Sequence, residues 1–158
     1  MPIDPDLFRS VLGRFASGVT VVTARGQDSR DHGMTVSAFA SLSLEPPLIL
    51  VCVAHDATMA PVIDTCTDFV VNILSDGQEA LSRRFSSKLD DRFAGIGFTR
   101  GERDIVILDD VQAWMECRVV NRHIEGDHTI IVGAVDRAGA RDAKPLLYYR
   151  GGYAQLER

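Results

Sequence analysis

The sequence predicts a mainly β protein, an antiparallel sheet closed into a barrel, with a few short helices. Three observations carry this. Six or seven apolar or alternating runs of strand length recur at short spacing. Turn residues separate them. Few stretches hold a helical period, and no regular strand–helix–strand alternation calls for a parallel sheet. The 158 residues read as a single domain, 1–158, long enough to bury about 70% of its unfolded surface without staples.

In chain order, Asp4 to Phe15 reads as a helix. Asp4 can cap it, Pro5 suits its first turn, and Leu7, Phe8, Val11, Leu12 and Phe15 form one apolar stripe. Gly18 releases the chain into a β-branched strand, Val19 to Thr23, and the polar stretch Arg25 to Asp31 makes a hairpin loop. From Gly33 the chain alternates. Met34, Val36, Ala38, Ala40 and Leu42 are expected to enter a core, with the hydroxyls of Thr35, Ser37, Ser41 and Ser43 on the other face. Glu45-Pro46-Pro47 turns the chain into Leu48 to Val53, a continuous apolar run expected to be buried on both faces.

Ala54 to Thr58 is a polar exit, after which Asp56 or Thr58 can cap a short helix, Pro61 to Cys66. Phe69 to Leu74 is a strand. Ser75 and Gln78 have capping-box spacing before a helix to about Phe85, anchored by Leu81 and Phe85. No period survives from Ser86 to Glu102, which reads as a long loop with Gly95, Gly97 and Gly101. Ala113, Met115, Cys117 and Val119 alternate with Trp114, Glu116 and Arg118, and Trp114 is assigned to the barrel exterior or a dimer interface. Glu125-Gly126-Asp127 turns into His128 to Ala138. Leu146 to Tyr153 is the last strand, with Gly151-Gly152 as a bulge or a close-approach point.

Composition narrows the function classes. A formal charge of -5, from 17 basic and 22 acidic residues, argues against nucleic acid as a partner. No apolar run reaches the ~18 residues of a spanning helix, and no signal peptide is visible at the start, so a cytoplasmic, non-membrane protein is expected. Cys52, Cys66 and Cys117 fit buried reduced thiols. Gly95-Ile96-Gly97 lies in the irregular loop and not between a strand and a helix, so a Rossmann site is not expected. No phosphate-binding P-loop, HExxH motif or GxSxG elbow is present, and no metal site is expected.

Several stretches together resemble the short-chain flavin reductase family, the reductase components of two-component flavin monooxygenases. They are Phe15 to Thr23, Gly33 to Ser43, Pro46-Pro47-Leu48, Phe69 to Leu74, Asp91-Arg92-Phe93, Gly126-Asp127-His128, Pro145 to Tyr149 and Gly152-Tyr153. The resemblance implies a six-stranded antiparallel split β-barrel of Greek-key type, binding FMN or FAD, usually as a homodimer with the flavin near the interface. It implies hydride transfer from NADH or NADPH, and release of reduced flavin by diffusion to a partner monooxygenase.

The resemblance also implies site residues. Met34, Thr35, Val36, Ser37 and Ala38 fall where the family contacts the flavin, through hydroxyls and backbone. Val53, Ala54, His55 and Thr58 match its second flavin stretch, where free N–H groups at a helix start would suit a phosphate. Ser87 and Lys88 fall near the flavin phosphate or its adenosine extension, with Lys88 supplying charge. Gly126, Asp127 and His128 match the motif beside the nicotinamide, and His128 is the candidate catalytic residue. Arg92 beside Phe93 reads as a salt-bridged arginine packed by an aromatic. Two alternatives keep the barrel: a flavin-holding or pyridoxamine-phosphate-oxidase-like oxidase, which would need a cluster of basic residues that the sequence does not display, and a non-catalytic flavin- or haem-binding module, the haem taking His32, His55, His123 or His128 as axial ligand.

Overall fold

The computed structural model describes residues 2–157. Helix α1 is Pro5–Leu12. Strands β1 (Ser17–Gly18), β2 (Thr20–Arg25), β3 (Asp31–Val36), β4 (Phe39–Ser43) and β5 (Leu48–Ala54) follow, then α2 (Ala60–Ile63), β6 (Asp68–Ile73) and α3 (Glu79–Ser86). Strands β7 (Phe98–Arg100), β8 (Val106–Leu108), β9 (Ala113–Glu125), β10 (His128–Ala140), β11 (Leu146–Tyr149) and β12 (Gly152–Gln155) complete the chain. The protein is mainly β, with antiparallel pairing and few, short helices, as the run pattern predicts.

The main sheet has seven strands in the order β3-β2-β6-β9-β10-β5-β4, and among the described residues no ladder joins β3 to β4. The expected closed barrel of six strands is therefore not what the ladders form. The two edge strands are nevertheless joined directly by Ser37 and Ala38. Val36 and Phe39 are three residues apart and so lie within about 11 Å of each other, which forces the sheet to curl until its edges nearly meet. The curled interior holds Val22, Val36, Val51, Val53, Ile63, Phe69, Val71 and Ile131. The outer face of β2 packs a second cluster, Val19, Val21, Leu74, Phe85, Val106, Leu108 and Leu146.

The single strand expected from Gly33 to Ser43 breaks at Ser37-Ala38. Phe39 N–H donates to Ser37 O (2.9 Å) and Cys52 N–H donates to Ala38 O (2.9 Å), so the chain leaves β2 and begins pairing with β5. The break exchanges the faces. Phe39 packs on the interior cluster, while Ala38, Ala40 and Leu42, expected in the core, are exposed. The run Leu48 to Val53 is likewise not buried on both faces. Ile49, Val51 and Val53 point in, while Leu48, Leu50 and Cys52 are half-exposed. Strand β2 is buried from Thr20 to Ala24.

Local chemistry explains most boundaries. Asp4 caps α1, accepting from Asp6 and Leu7 N–H (both 3.0 Å), but no residue of α1 is buried and its apolar stripe stays exposed. Helix α2 is a single turn. Neither Asp56 nor Thr58 caps it, because it starts after Met59, which makes no side-chain cap bond. The capping box is present at Ser75 and Gln78, on a short 3-10 turn leading into α3.

The stretch read as an irregular loop holds β7, which pairs with β8. This hairpin lies against Trp114 and Glu116. Glu116 is buried, with its carboxylate against Gly101 and hydrogen-bonded to Arg137 (2.8 Å), and Trp114 is half-buried rather than exterior. Leu146 to Tyr153 is two strands, β11 and β12. Arg150 (φ 50°) and Gly151 (φ 78°) supply the two positive φ angles of a tight hairpin turn. The cysteines are free. Cys117 is buried and its thiol is pushed up to about 12 by desolvation, whereas Cys52 and Cys66 are only half-buried.

Gly33 marks a close approach. A Cβ there would lie 2.8 Å from Phe85 Cε1 and 3.2 Å from Phe93 Cζ, so β3 can run beneath these rings only without a side chain. Gly33→Ala is expected to destabilise the fold by about 1–3 kcal/mol through overpacking, measured by denaturant unfolding.

Candidate functional site

The aromatic contact over Gly33 builds the first wall of a cavity. Phe93 meets Phe85 edge-on (5.1 Å between ring centroids) and Phe98 likewise (6.1 Å). Arg84, on α3, donates to the carbonyls of Arg92 (2.6 Å) and Ala94 (2.8 Å), tying down the loop that follows the helix. Arg92 Nη1 donates to Gly33 O (2.8 Å) and Phe85 O (3.1 Å). Its guanidinium thus holds the loop to β3 through backbone carbonyls, and the expected salt bridge is not formed. Ser87 Oγ donates to Arg84 O (2.6 Å), closing the end of α3, so its hydroxyl serves the turn.

The resulting cavity is about 540 Å³, within the ~300–1,000 Å³ typical of small-molecule sites. Its lining comes from the β2–β3 loop, the start of β3, Thr58-Met59, the loop from Lys88 to Phe93, and Arg100. Five cationic side chains, Arg25, Arg30, Lys88, Arg92 and Arg100, face three carboxylates, Asp31, Asp90 and Asp91. This is a positive site on a chain whose formal charge is -5. The sequence displays no basic cluster because these residues arrive from three separate stretches.

Arg25 pairs with Asp104, and Arg100 forks onto Asp31 (2.9 and 2.8 Å). The Arg100 hydrogen bonds hold the Asp31 carboxyl below its ordinary value, against the opposing effect of partial burial. A depressed folded-state carboxyl contributes stability that is fully present above the unfolded value and is lost as pH falls through the folded one. Acidification below about pH 4 should therefore remove about 0.5–1 kcal/mol, the scale of a partly exposed bidentate pair. Thermal melts of Asp31→Asn should lack this acid-dependent component.

Thr35 and Ser37 line a separate, smaller cavity of about 190 Å³ with Ser82, Ser86, Tyr148 and Tyr153. Thr35 Oγ1 donates to Ser82 O (2.7 Å), and Ser82 Oγ shares a hydrogen bond with Tyr153 OH (2.7 Å). The Thr35 hydroxyl is therefore already engaged, while Ser37 is exposed. Val36 is buried in the core and Met34 packs against it, leaving only their backbone for a ligand.

A third group forms where β5 ends beside the β9–β10 turn. His128 opens β10 opposite Ala54, and Thr129 lies opposite Val53, whose side chain is in the core. His55 N–H donates to Asp127 O (2.9 Å), and His55 Nε2 lies 3.0 Å from Thr129 Oγ1. Gly126 takes a positive φ of 62° in the turn. His128 Nδ1 is 2.7 Å from Asp127 Oδ1, and this hydrogen bond, first among several causes, holds the Asp127 carboxyl below its ordinary range. An ionised carboxylate only accepts, so Nδ1 carries the proton of this hydrogen bond, and in the tautomer it selects Nε2 is the acceptor.

The structure thus joins Val53–His55 to Gly126–His128, Thr58 to Lys88, and Thr35 to Ser37, in three places rather than in one cavity. Helix α2, a single turn, offers no helix-start phosphate site at Thr58. Sequence reading missed Arg30, His32 and Arg100 as cavity residues. No periodicity marks them, since they gather only through the β2–β3 and β7–β8 hairpins.

The family described as flavin reductase like domain matches residues 12–157. The chain belongs to this family. It is 41% identical over 157 residues to a flavin reductase (NADH) of Kitasatospora aureofaciens, covering 97% of this chain and 82% of the other. It is 40% identical over 158 residues to a flavin-dependent monooxygenase reductase subunit of Mycobacterium tuberculosis, covering 98% and 84%. Among solved structures, the NADH:FAD oxidoreductase of Streptomyces globisporus, in complex with NAD and FAD fragments, superposes with a TM-score of 0.91. Its identity is 34%, and the match covers 99% of this chain and 96% of that one. The curled sheet, the Gly126-Asp127-His128 turn and the positive cavity therefore belong to a flavin reductase domain.

Proposed function

We propose that this flavin reductase domain is an NAD(P)H:flavin oxidoreductase. It passes hydride from NADH or NADPH to FMN or FAD and supplies reduced flavin to a flavin-dependent monooxygenase component. The observation that carries this reading is the family match over residues 12–157. The residues fit the group: a cavity of suitable volume with excess positive charge can hold a phosphorylated flavin. When bound, the flavin supplies the two-electron acceptor.

The chain's own residues bind and orient. Lys88, with the Thr58 hydroxyl near it, meets the phosphate, and Ser87 positions Lys88 by closing α3. The segment Met34 to Ala38 offers backbone groups and the exposed Ser37 hydroxyl along the flavin. His128, its ring fixed by Asp127, presents Nε2 to the amide of a nicotinamide carboxamide. The adjoining Val53-Ala54-His55 and Gly126 shape that end of the site. Hydride transfer asks no side chain for a proton. The protein's task is to hold donor and acceptor in reach and exclude water.

We read the protein as a single domain that acts as a homodimer in the cytoplasm, with the curled sheet as a split barrel. Support for the dimer is the exposed apolar surface: the α1 stripe through Phe15 (84% exposed), Leu42 and Leu44 (90%), beside the half-exposed face of β5. Among the described residues no helix is long and apolar enough to cross a membrane. Three of the four histidines that could serve a haem module as axial ligand, His32, His55 and His128, already lie within hydrogen-bonding distance of protein side chains, which disfavours that alternative. Steady-state consumption of NADH and NADPH should depend on added FMN or FAD. Nucleotide consumption that ignores both flavins would overturn the reading.

A further inference from the structure

The cationic residues of the larger cavity are not equivalent. Arg25 is paired with Asp104 and Arg100 with Asp31. Arg92 is engaged by the carbonyls of Gly33 and Phe85. Among the described residues, Lys88 and Arg30 have neither a carboxylate partner within ion-pair distance nor a side-chain hydrogen bond. They come from different walls, Lys88 from the loop after α3 and Arg30 from the β2–β3 hairpin. The Arg30 backbone is itself fixed, its N–H donating to Asp28 Oδ1 (3.0 Å) and its carbonyl accepting from Gly26 (3.0 Å). Two uncommitted cations on separate walls of one cavity of about 540 Å³ match a ligand with more than one anionic group. A guanidinium also forks onto phosphate oxygens as an ammonium cannot.

We propose that Arg30 is a specificity-determining residue that contacts the second phosphate of FAD, so that this site prefers FAD to FMN. The inference rests on the flavin reading above. The monophosphate of FMN is met by Lys88 alone. The diphosphate of FAD reaches from Lys88 to Arg30, and the adenosine follows along the β2–β3 hairpin. Arg25 and Arg100 do not substitute, because each would have to abandon its carboxylate.

Equilibrium titration of the full chain with FAD and with FMN, without nicotinamide, tests this. The wild type should bind FAD more tightly. Arg30→Ala should lose about tenfold in FAD affinity, on the scale of one charge-assisted hydrogen bond, with less than a twofold change for FMN. Arg30→Lys should recover only part of the loss, and Lys88→Ala should weaken both flavins. Equal losses for both flavins in Arg30→Ala, no loss, or a loss confined to the NADH or NADPH KM would overturn the assignment. A wild type that binds and turns over FMN as well as FAD removes this inference and leaves the reductase reading intact. One that reduces neither flavin removes both.

Discussion

Replacing Asn72 by alanine is expected to lower the unfolding free energy by about 3 kcal/mol, and for a chain of this size the melting temperature by about 6–12 °C. Asn72 is wholly buried on β6. Its Nδ2 donates to Val21 O (3.0 Å) and Thr23 Oγ1 (3.2 Å), and its Oδ1 accepts from Leu108 N–H (2.9 Å). One side chain thereby joins β2, β6 and β8. Thr23 Oγ1 donates in turn to Val106 O (2.7 Å), completing the attachment of the β7–β8 hairpin to the sheet. Alanine would leave the Leu108 amide buried without a partner, and such an orphan costs more than a bond to water recovers. The hairpin also carries Arg100 into the cavity wall, so the variant should bind flavin more weakly. Urea unfolding with a loss below 1 kcal/mol would show that the hairpin is held by its apolar contacts instead.

The second large effect is expected at His128. His128→Ala should lower kcat/KM for the reduced nicotinamide by about tenfold to a hundredfold, the scale on which a misplaced reactant loses rate, while the flavin dissociation constant stays within about twofold. Asp127→Asn keeps the backbone turn but can donate to the imidazole as well as accept. It should move part of the ring population to the tautomer with the proton on Nε2, and so show a smaller loss of the same kind. Stopped-flow measurement of flavin reduction separates binding of the nicotinamide from transfer. Wild-type rates in both variants would exclude His128 from the nicotinamide site.

Much of the fold was legible because it is local. Asp4 and the Ser75–Gln78 box mark helix starts, the Glu125-Gly126-Asp127 turn marks the β9–β10 hairpin, and β-branched runs mark β2 and β6. The errors share a cause, in that period reports an alternation but not what lies on either side of it. Met34 to Leu42 alternates in sequence but for Phe39, yet the strand changes partner at Ser37-Ala38 and its faces exchange. Leu48 to Val53 is apolar throughout, although Leu48, Leu50 and Cys52 are only half-buried and the run has one inward face. Trp114 and Glu116 sit on the outer row of β9 by alternation, and are covered because residues 98–108 fold back over them and Arg137 lies beside both. At the site, the Gly126-Asp127-His128 turn was readable as a unit. The positive cavity was not, because its charges come from stretches far apart in the chain.

The most direct test of the reductase assignment is anaerobic mixing of the full chain with NADH or NADPH and a slight excess of FMN or FAD. The oxidised flavin absorbance should bleach fully with at least one nucleotide, at a rate proportional to enzyme, and return when oxygen is admitted. Flavin that stays oxidised with both nucleotides, under conditions where the protein is folded, would contradict it.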